Sequence, residues 1–259
     1  MNSEIVKHRL EQSSGYEGAV ADWRRFLSCW YRSPREQERR EAYGVQYSLV
    51  KRDVLADGLD LAATEAAYME KVAAYEAYRG IRLPRSYVDF LLAYQPELRC
   101  RTEEGETSST RFVSIEALST LGAVSSSWVS AVDGARGAYG VPDHKYFVYG
   151  PKQDDAILRA EYLAGSLGVG HYGFDSNEII SLNPYVTFAD GEMEAIAYIS
   201  HGTIRATSFA ELMRHIHVWQ SRRWEGVIAD ADIQKTCAAL LPVDAWWERE
   251  PVRVTRTSE

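Results

Sequence analysis

Apolar residues in the first part of the chain recur at helical spacing. Trp23, Phe26, Leu27 and Trp30 fall at i, i+3, i+4 and i+7, which predicts an amphipathic helix with an aromatic-rich stripe. Ser33-Pro34 opens a second helix, with proline at the first helical position and Glu36 just inside it. Its body, Arg35 to Glu41, is charged nearly all round and predicts a solvated surface helix. The pattern breaks at Asp57-Gly58. A long helix follows, with Leu61, Tyr68, Val72 and Tyr75 on one face and Gly80 as its C-cap. Another opens at Leu83-Pro84 and runs through Tyr87, Phe90 and Leu91. Near the other end, Ser208-Phe209-Ala210-Glu211 has the form of a capping box. Behind it Phe209, Leu212, Met213 and Ile216 make a single apolar stripe.

Between these helices the pattern shortens to strand length. Ser114–Leu118 predicts one or two helical turns. Runs at 145–149, 162–169, 178–182, 194–200 and 203–206 predict strands, with a turn at Gly150-Pro151 and a tight hairpin at His201-Gly202. Glycines at 165, 168, 170 and 173 lack the Lys-Ser/Thr ending of a phosphate-binding loop, so they are expected to be bulges and turns in a sheet. The polar stretch 100–110 reads as an exposed loop. No Pro/Gly/Ser-rich linker separates the N-terminal helices from the rest, so they are expected to pack on it.

Three segments carry a family resemblance: the Leu-Pro then Tyr-x-x-Phe-Leu helix at 83–92, the stretch Phe174 to Pro184, and the Ser-Phe-x-Glu-Leu helix at 208–212. In this order and spacing, over Tyr68 to Val218, the chain resembles the SMI1/KNR4 (SUKH) superfamily, with Asn177-Glu178 standing where Gly-Asp is more typical. The resemblance implies an α+β fold: a mixed, mostly antiparallel twisted sheet flanked by helices, preceded here by a helical N-terminal extension. The expected organisation is an extension over 1–60, a SUKH-like domain over 61–220, and a C-terminal helix and tail over 221–259. Bacterial members are often immunity proteins against polymorphic toxins.

Composition narrows the choice of partner. The net charge is −8, and residues 150–200 hold eight acidic side chains against two basic ones. No concentrated basic face is evident, which argues against nucleic acid. An acidic surface suits a basic protein. No apolar run is long enough to span a bilayer, and the first residues lack an apolar signal core, so a cytoplasmic setting is expected. Cys29, Cys100 and Cys237 are odd in number and far apart, which predicts reduced thiols.

The search for catalytic chemistry finds little. His215 and His217 lie about 200° apart around a helix and cannot share a metal. The remaining histidines have no zinc- or iron-ligand spacing, and no EF-hand loop or nucleophile elbow occurs. No catalytic residue, metal or cofactor is therefore assigned. The expected function is occlusion of a cognate toxin, a nuclease or other nucleic-acid- or nucleotide-modifying enzyme, by a monomer or homodimer. A regulatory scaffold is the alternative. The candidate contact residues are Trp128 and Tyr139, in loop-like sequence, with the acidic Asp154, Asp155, Asp175, Glu178, Asp190 and Glu192.

Overall fold

The computed structural model describes residues 5–44, 48–50, 52–55, 61–95, 112–136, 140–171, 178–199, 202–222, 236–245 and 252–253. The fold is α+β. A six-stranded sheet runs in the order β2 (Ser119–Thr120), β4 (Leu167–His171), β5 (Ile179–Thr187), β6 (Met193–Ile199) and β7 (Gly202–Ala206), and all four of these neighbouring pairs are antiparallel. Its sixth member, β1 (His8–Arg9), adds in parallel to the far half of β5, at Val186 and Thr187. A separate pair joins β3 (Val148–Tyr149) to β8 (Val252–Arg253).

Alternation along the strands divides the sheet into two faces. Ile180, Leu182, Ala195, Ala197, Ile204 and Ala206 share one core cluster with three helices: α1 (Val20–Arg32), α4 (Arg85–Tyr94) and α9 (Phe209–Arg222). The predicted stripes drive this packing. Trp23, Phe26 and Leu27 are fully buried, as are Phe209, Leu212, Met213 and Ile216. Trp23, Phe90 and Phe209 stand within 4.9–5.7 Å of one another, ring centre to ring centre. The serine half of the capping box forms, with the Glu211 N–H donating to Ser208 Oγ at 3.1 Å.

The opposite face is covered by a string of short helices: α5 (Leu121–Val124), α6 (Ser126–Arg136), α7 (Asp143–Tyr146) and α8 (Ala160–Leu163). Sequence patterning misses most of this layer. Strands expected at 145–149 and 162–169 begin as helical turns, leaving only β3 and β4 extended. Pro142, at φ −60° and ψ 144°, sits at the N-cap of α7 and starts a turn where the apolar run suggests a strand. Likewise the supposed loop around Trp128 is helix α6.

The N-terminal region departs from its helical reading too, because β1 and the segment after it run extended along the sheet. Two further helices hold as expected, α2 (Pro34–Tyr43) after the Ser33 cap and α3 (Leu61–Arg79) before Gly80, whose φ is +63°. Yet α2 is not solvated all round. Glu36 is 3% exposed and accepts from Ser48, while Arg39 and Arg40 flank it. Between Gly168 and Gly170 the β4–β5 register shifts, as expected of a bulge. β5 is longer than its apolar run, continuing through Pro184 where its pairing with β6 also shifts.

The expectation of reduced cysteines is overturned for two of the three. Cys29 on α1 is bonded to Cys237, which lies in a single helical turn at 236–239; their Cα atoms are 5.5 Å apart across 208 residues of sequence. Sequence separation is a poor guide to distance once a C-terminal segment packs back on the first helix. Cys100 and the 100–110 stretch lie outside the described residues.

Candidate functional site

Strand register shows which predicted contact residues share a neighbourhood. Tyr198 pairs with Thr203 and Ile199 with Gly202, so β6 ends and β7 begins at the same end of the sheet. His171 pairs with Ile179, which puts the end of β4, the start of β5 and the adjoining Glu178 at that end as well. Trp128 reaches it from α6, half-buried, with its ring edge-on to Tyr198 at 5.0 Å. Asp154 and Asp155 reach it from the loop after β3, because the Thr203 N–H donates to the Asp155 carbonyl at 2.7 Å. Four of the eight candidates are thus gathered at one rim, with Asp154 and Asp155 exposed. Tyr139 and Asp175 lie outside the described residues.

The loop that presents the two aspartates is tied to the sheet edge. Gln153 uses both ends of its amide: its oxygen accepts from the Arg205 N–H at 2.8 Å, and its nitrogen donates to the Arg205 carbonyl at 3.1 Å. The Thr203 hydroxyl donates to the Asp155 or the Ile157 carbonyl, at 3.2 and 3.1 Å. Asp154 itself accepts from the Ala156 N–H at 2.9 Å, an Asx-type turn. Outward-facing backbone groups of β7 are therefore bonded to the loop as they would be to a neighbouring strand.

Beneath this rim the covered face carries the apolar Ile179, Ile196 and Tyr198, and beyond them a buried polar cluster. Asn183 and Glu194 pair across β5 and β6, and Arg205 projects from β7 on the same face. Glu194 is fully buried and accepts from Tyr146 Oη at 2.8 Å, Tyr149 Oη at 2.9 Å and Asn183 Nδ2 at 2.8 Å. Arg205 is 1% exposed; it donates to the Tyr146 carbonyl and lies 4.6 Å from the centre of the Tyr146 ring. Burial, and then the Glu194 charge, push both tyrosines well above their ordinary range, so they remain donors. Arg159 fixes the same layer from the other side. It donates to the Val141 carbonyl, to Asp143 at 2.5 Å and to Tyr162 Oη at 2.8 Å.

Asp190 and Glu192 do not belong to this rim. They sit in the β5–β6 turn, at the opposite end of the sheet, and both are structural bonds. Asp190 accepts from Ser13 Oγ at 2.8 Å and from Ser14 N and Oγ at 2.9 and 2.7 Å, clasping the N-terminal segment. Glu192 is 1% exposed and turned inward, where it accepts from Ser86 N and Oγ at 2.7 and 2.5 Å. Ser86 is in the first turn of α4, so a residue distant in sequence supplies the cap that Pro84 cannot. Burial raises the Glu192 carboxyl to about 7, against the lowering effect of the Ser86 bonds. Neighbouring Asp89 is also raised, by burial first, and accepts from Tyr16 Oη at 2.9 Å. Glu194 and Gln153, which sequence reading leaves out, organise the rim from below and from its edge. Glu194 carries one signal, a carboxylate inside an otherwise apolar strand; Gln153 carries none.

One cavity, of about 180 Å³, opens between α2 and the end of α9, lined by Trp30, Arg35, Glu36, Arg39, Tyr43 and Gln220 among others. Its arginines are already engaged: Arg35 with Glu38 at 3.2 Å and Arg39 with Gln220 at 2.6 Å. Among the described residues, no group of three or more His, Cys, Asp or Glu side chains is placed to hold a metal ion. No helix among them is long and apolar enough to cross a membrane. Comparison with protein-family models, with curated proteins and with solved structures gives no match to this chain.

Proposed function

We propose that this chain is a SUKH-like binding protein of the immunity type, which occupies a basic protein toxin at its active site or substrate path. The observation that carries the reading is the gathering of Asp154, Asp155, Glu178 and Trp128 at one rim of the sheet, on a loop and a helix anchored to rigid strands. A docking surface held in place before binding loses less conformational freedom when it engages. Fixed negative charge of this kind speeds encounter with a positively charged enzyme and competes for its substrate path. Trp128 supplies the large, partly wet ring that often anchors such contacts.

The α+β architecture, with the Ser208-capped helix against the sheet, supports the family resemblance, while the biology rests on analogy at the level of fold. The test is direct. The protein is expressed together with any toxin encoded beside its own gene. Rescue of growth, and a stoichiometric complex that breaks up when Asp154 and Asp155 are both changed to lysine, is the expected result. A toxin that neither binds the chain nor loses activity in its presence overturns the reading.

A further inference from the structure

The cross-link between Cys29 and Cys237 ties α1, on which Cys29 sits just before the core residue Trp30, to the segment 236–245 near the other end of the chain. Cys237 is 1% exposed and its neighbour Ala238 fully buried. The same segment is also packed and hydrogen-bonded to the rest of the fold. Tyr16 forms an isolated bridge with Val243, the Glu17 N–H donates to the Pro242 carbonyl at 3.3 Å, and Arg214 donates to the Val243 carbonyl. Leu241 belongs to the main core, and Leu240 and Val243 pack against it.

We propose that Cys29 and Cys237 form a redox latch that holds the 236–245 segment on α1 and α9, and that the protein matures where a disulfide oxidant is supplied. The chemistry is thiol–disulfide exchange with an oxidant of the class R–S–S–R. One cysteine thiolate attacks a sulfur of the oxidant and expels R–S⁻; the second thiolate then attacks the mixed disulfide and expels the other. Two cysteine thiols lose two protons and two electrons, and the oxidant leaves as two thiols. The folded chain holds the two Cα atoms at 5.5 Å, within the span of roughly 4.4–6.8 Å that a disulfide bridges without moving the backbone. Bonds of this kind persist in secreted, periplasmic and other oxidising settings and are rare where glutathione keeps thiols reduced. The latch is independent of which partner the acidic rim binds.

The test uses the full chain, exported to an oxidising compartment, unfolded without reductant and alkylated with iodoacetamide. One alkylated cysteine, Cys100, rising to three after reduction, is the expected result. Reduction of the native protein is expected to shift the unfolding equilibrium roughly 10²–10³-fold towards the unfolded state. It should also speed amide exchange at Leu240 and Leu241. Three alkylated cysteines without reductant overturn the proposal, and so does reduction that leaves both the melting temperature and exchange at 240–241 unchanged. Because native protein is compared with and without reductant, the outcome does not depend on whether Cys29→Ser or Cys237→Ser folds.

Discussion

Glu192 and Glu194 are two residues apart and serve different layers, and their surroundings differ. Glu194 accepts three hydrogen bonds and shares its buried sheet face with Arg205. Changing Arg205→Leu would remove its bond to the Tyr146 carbonyl and its contact with the ring of Tyr146, which donates to Glu194. A cost of about 1–3 kcal/mol is expected, and non-additivity with Glu194→Gln in the double variant would show that the two residues act through Tyr146. Chemical denaturation of the four proteins in the cycle measures this. Glu192 is buried and lies near Asp190 and Asp89, effects that outweigh the two Ser86 bonds, so the folded state binds a proton more readily than the unfolded chain. Its pKa rises from 4.5 to about 7, so its proton favours the fold below 4.5, and that stabilisation is lost as pH climbs through 4.5–7. At about 1.4 kcal/mol per unit the loss is a few kcal/mol. Glu36 and Asp89, also raised by burial, act in the same direction. Melting temperatures at pH 5.5 and pH 8 should therefore differ, the higher at pH 5.5, and Glu192→Gln should flatten the difference. An unchanged slope in that variant would place the effect elsewhere.

At the level of elements, β7 is the sheet's last strand, and the Gln153 amide stands in for a neighbour. Gln153→Ala would free the N–H and carbonyl of Arg205 and loosen the loop that covers the sheet's last strand, costing about 1–2 kcal/mol and opening that edge to strand pairing between copies. Sedimentation of the folded variant should show concentration-dependent association absent from the parent. The turn into β4 is sensitive in another way. A Cβ at Gly165 would lie 2.0 Å from Tyr185 Oη and 2.6 Å from its ring, so Gly165→Ala should destabilise by about 1–3 kcal/mol, measured by thermal melting. A second substitution, Tyr185→Ala, should relieve the clash. Such features explain which elements can be read in advance. Helix α1 buries one stripe and is revealed by spacing alone; α4 and α9 carry such a stripe too, though the fold buries them on nearly every side. β5 and β6 announce themselves by apolar runs, although β5 continues through Pro184 across a register shift that no run marks. The 141–163 layer is opaque because it is buried on its sheet side in pieces of four residues, too short for a helical period to show. β1 is two residues long and takes its register from Val186 and Thr187, far along the chain.

Across the whole molecule, charge that looks continuous along residues 150–200 is sorted by folding into two ends of one sheet. Asp190 and Glu192 go to the end where they clasp the N-terminal segment and cap α4, while Asp154, Asp155 and Glu178 go to the other. Sequence reading weighs these carboxylates alike, because the hydrogen-bond partners that separate them come from residues 13, 14 and 86. The sorting makes the binding proposal sharper than net charge could. If the whole field of −8 steers a basic toxin, neutralising any surface pair slows association to a similar degree. If the rim docks it, only Asp154 and Asp155 should matter strongly. Replacing both by asparagine leaves the Asx turn an acceptor, and Gln153 and Thr203 still hold the loop. The fold should therefore survive while association slows by about tenfold or more at low salt, an effect that shrinks as ionic strength shortens the Debye length. Replacing exposed Glu70 and Glu41, remote from the rim in sequence and on other helices, provides the matched control. Association rates measured at two salt concentrations for the three proteins decide the matter. Equal slowing in both variants would assign the attraction to net charge and remove the rim from the interface.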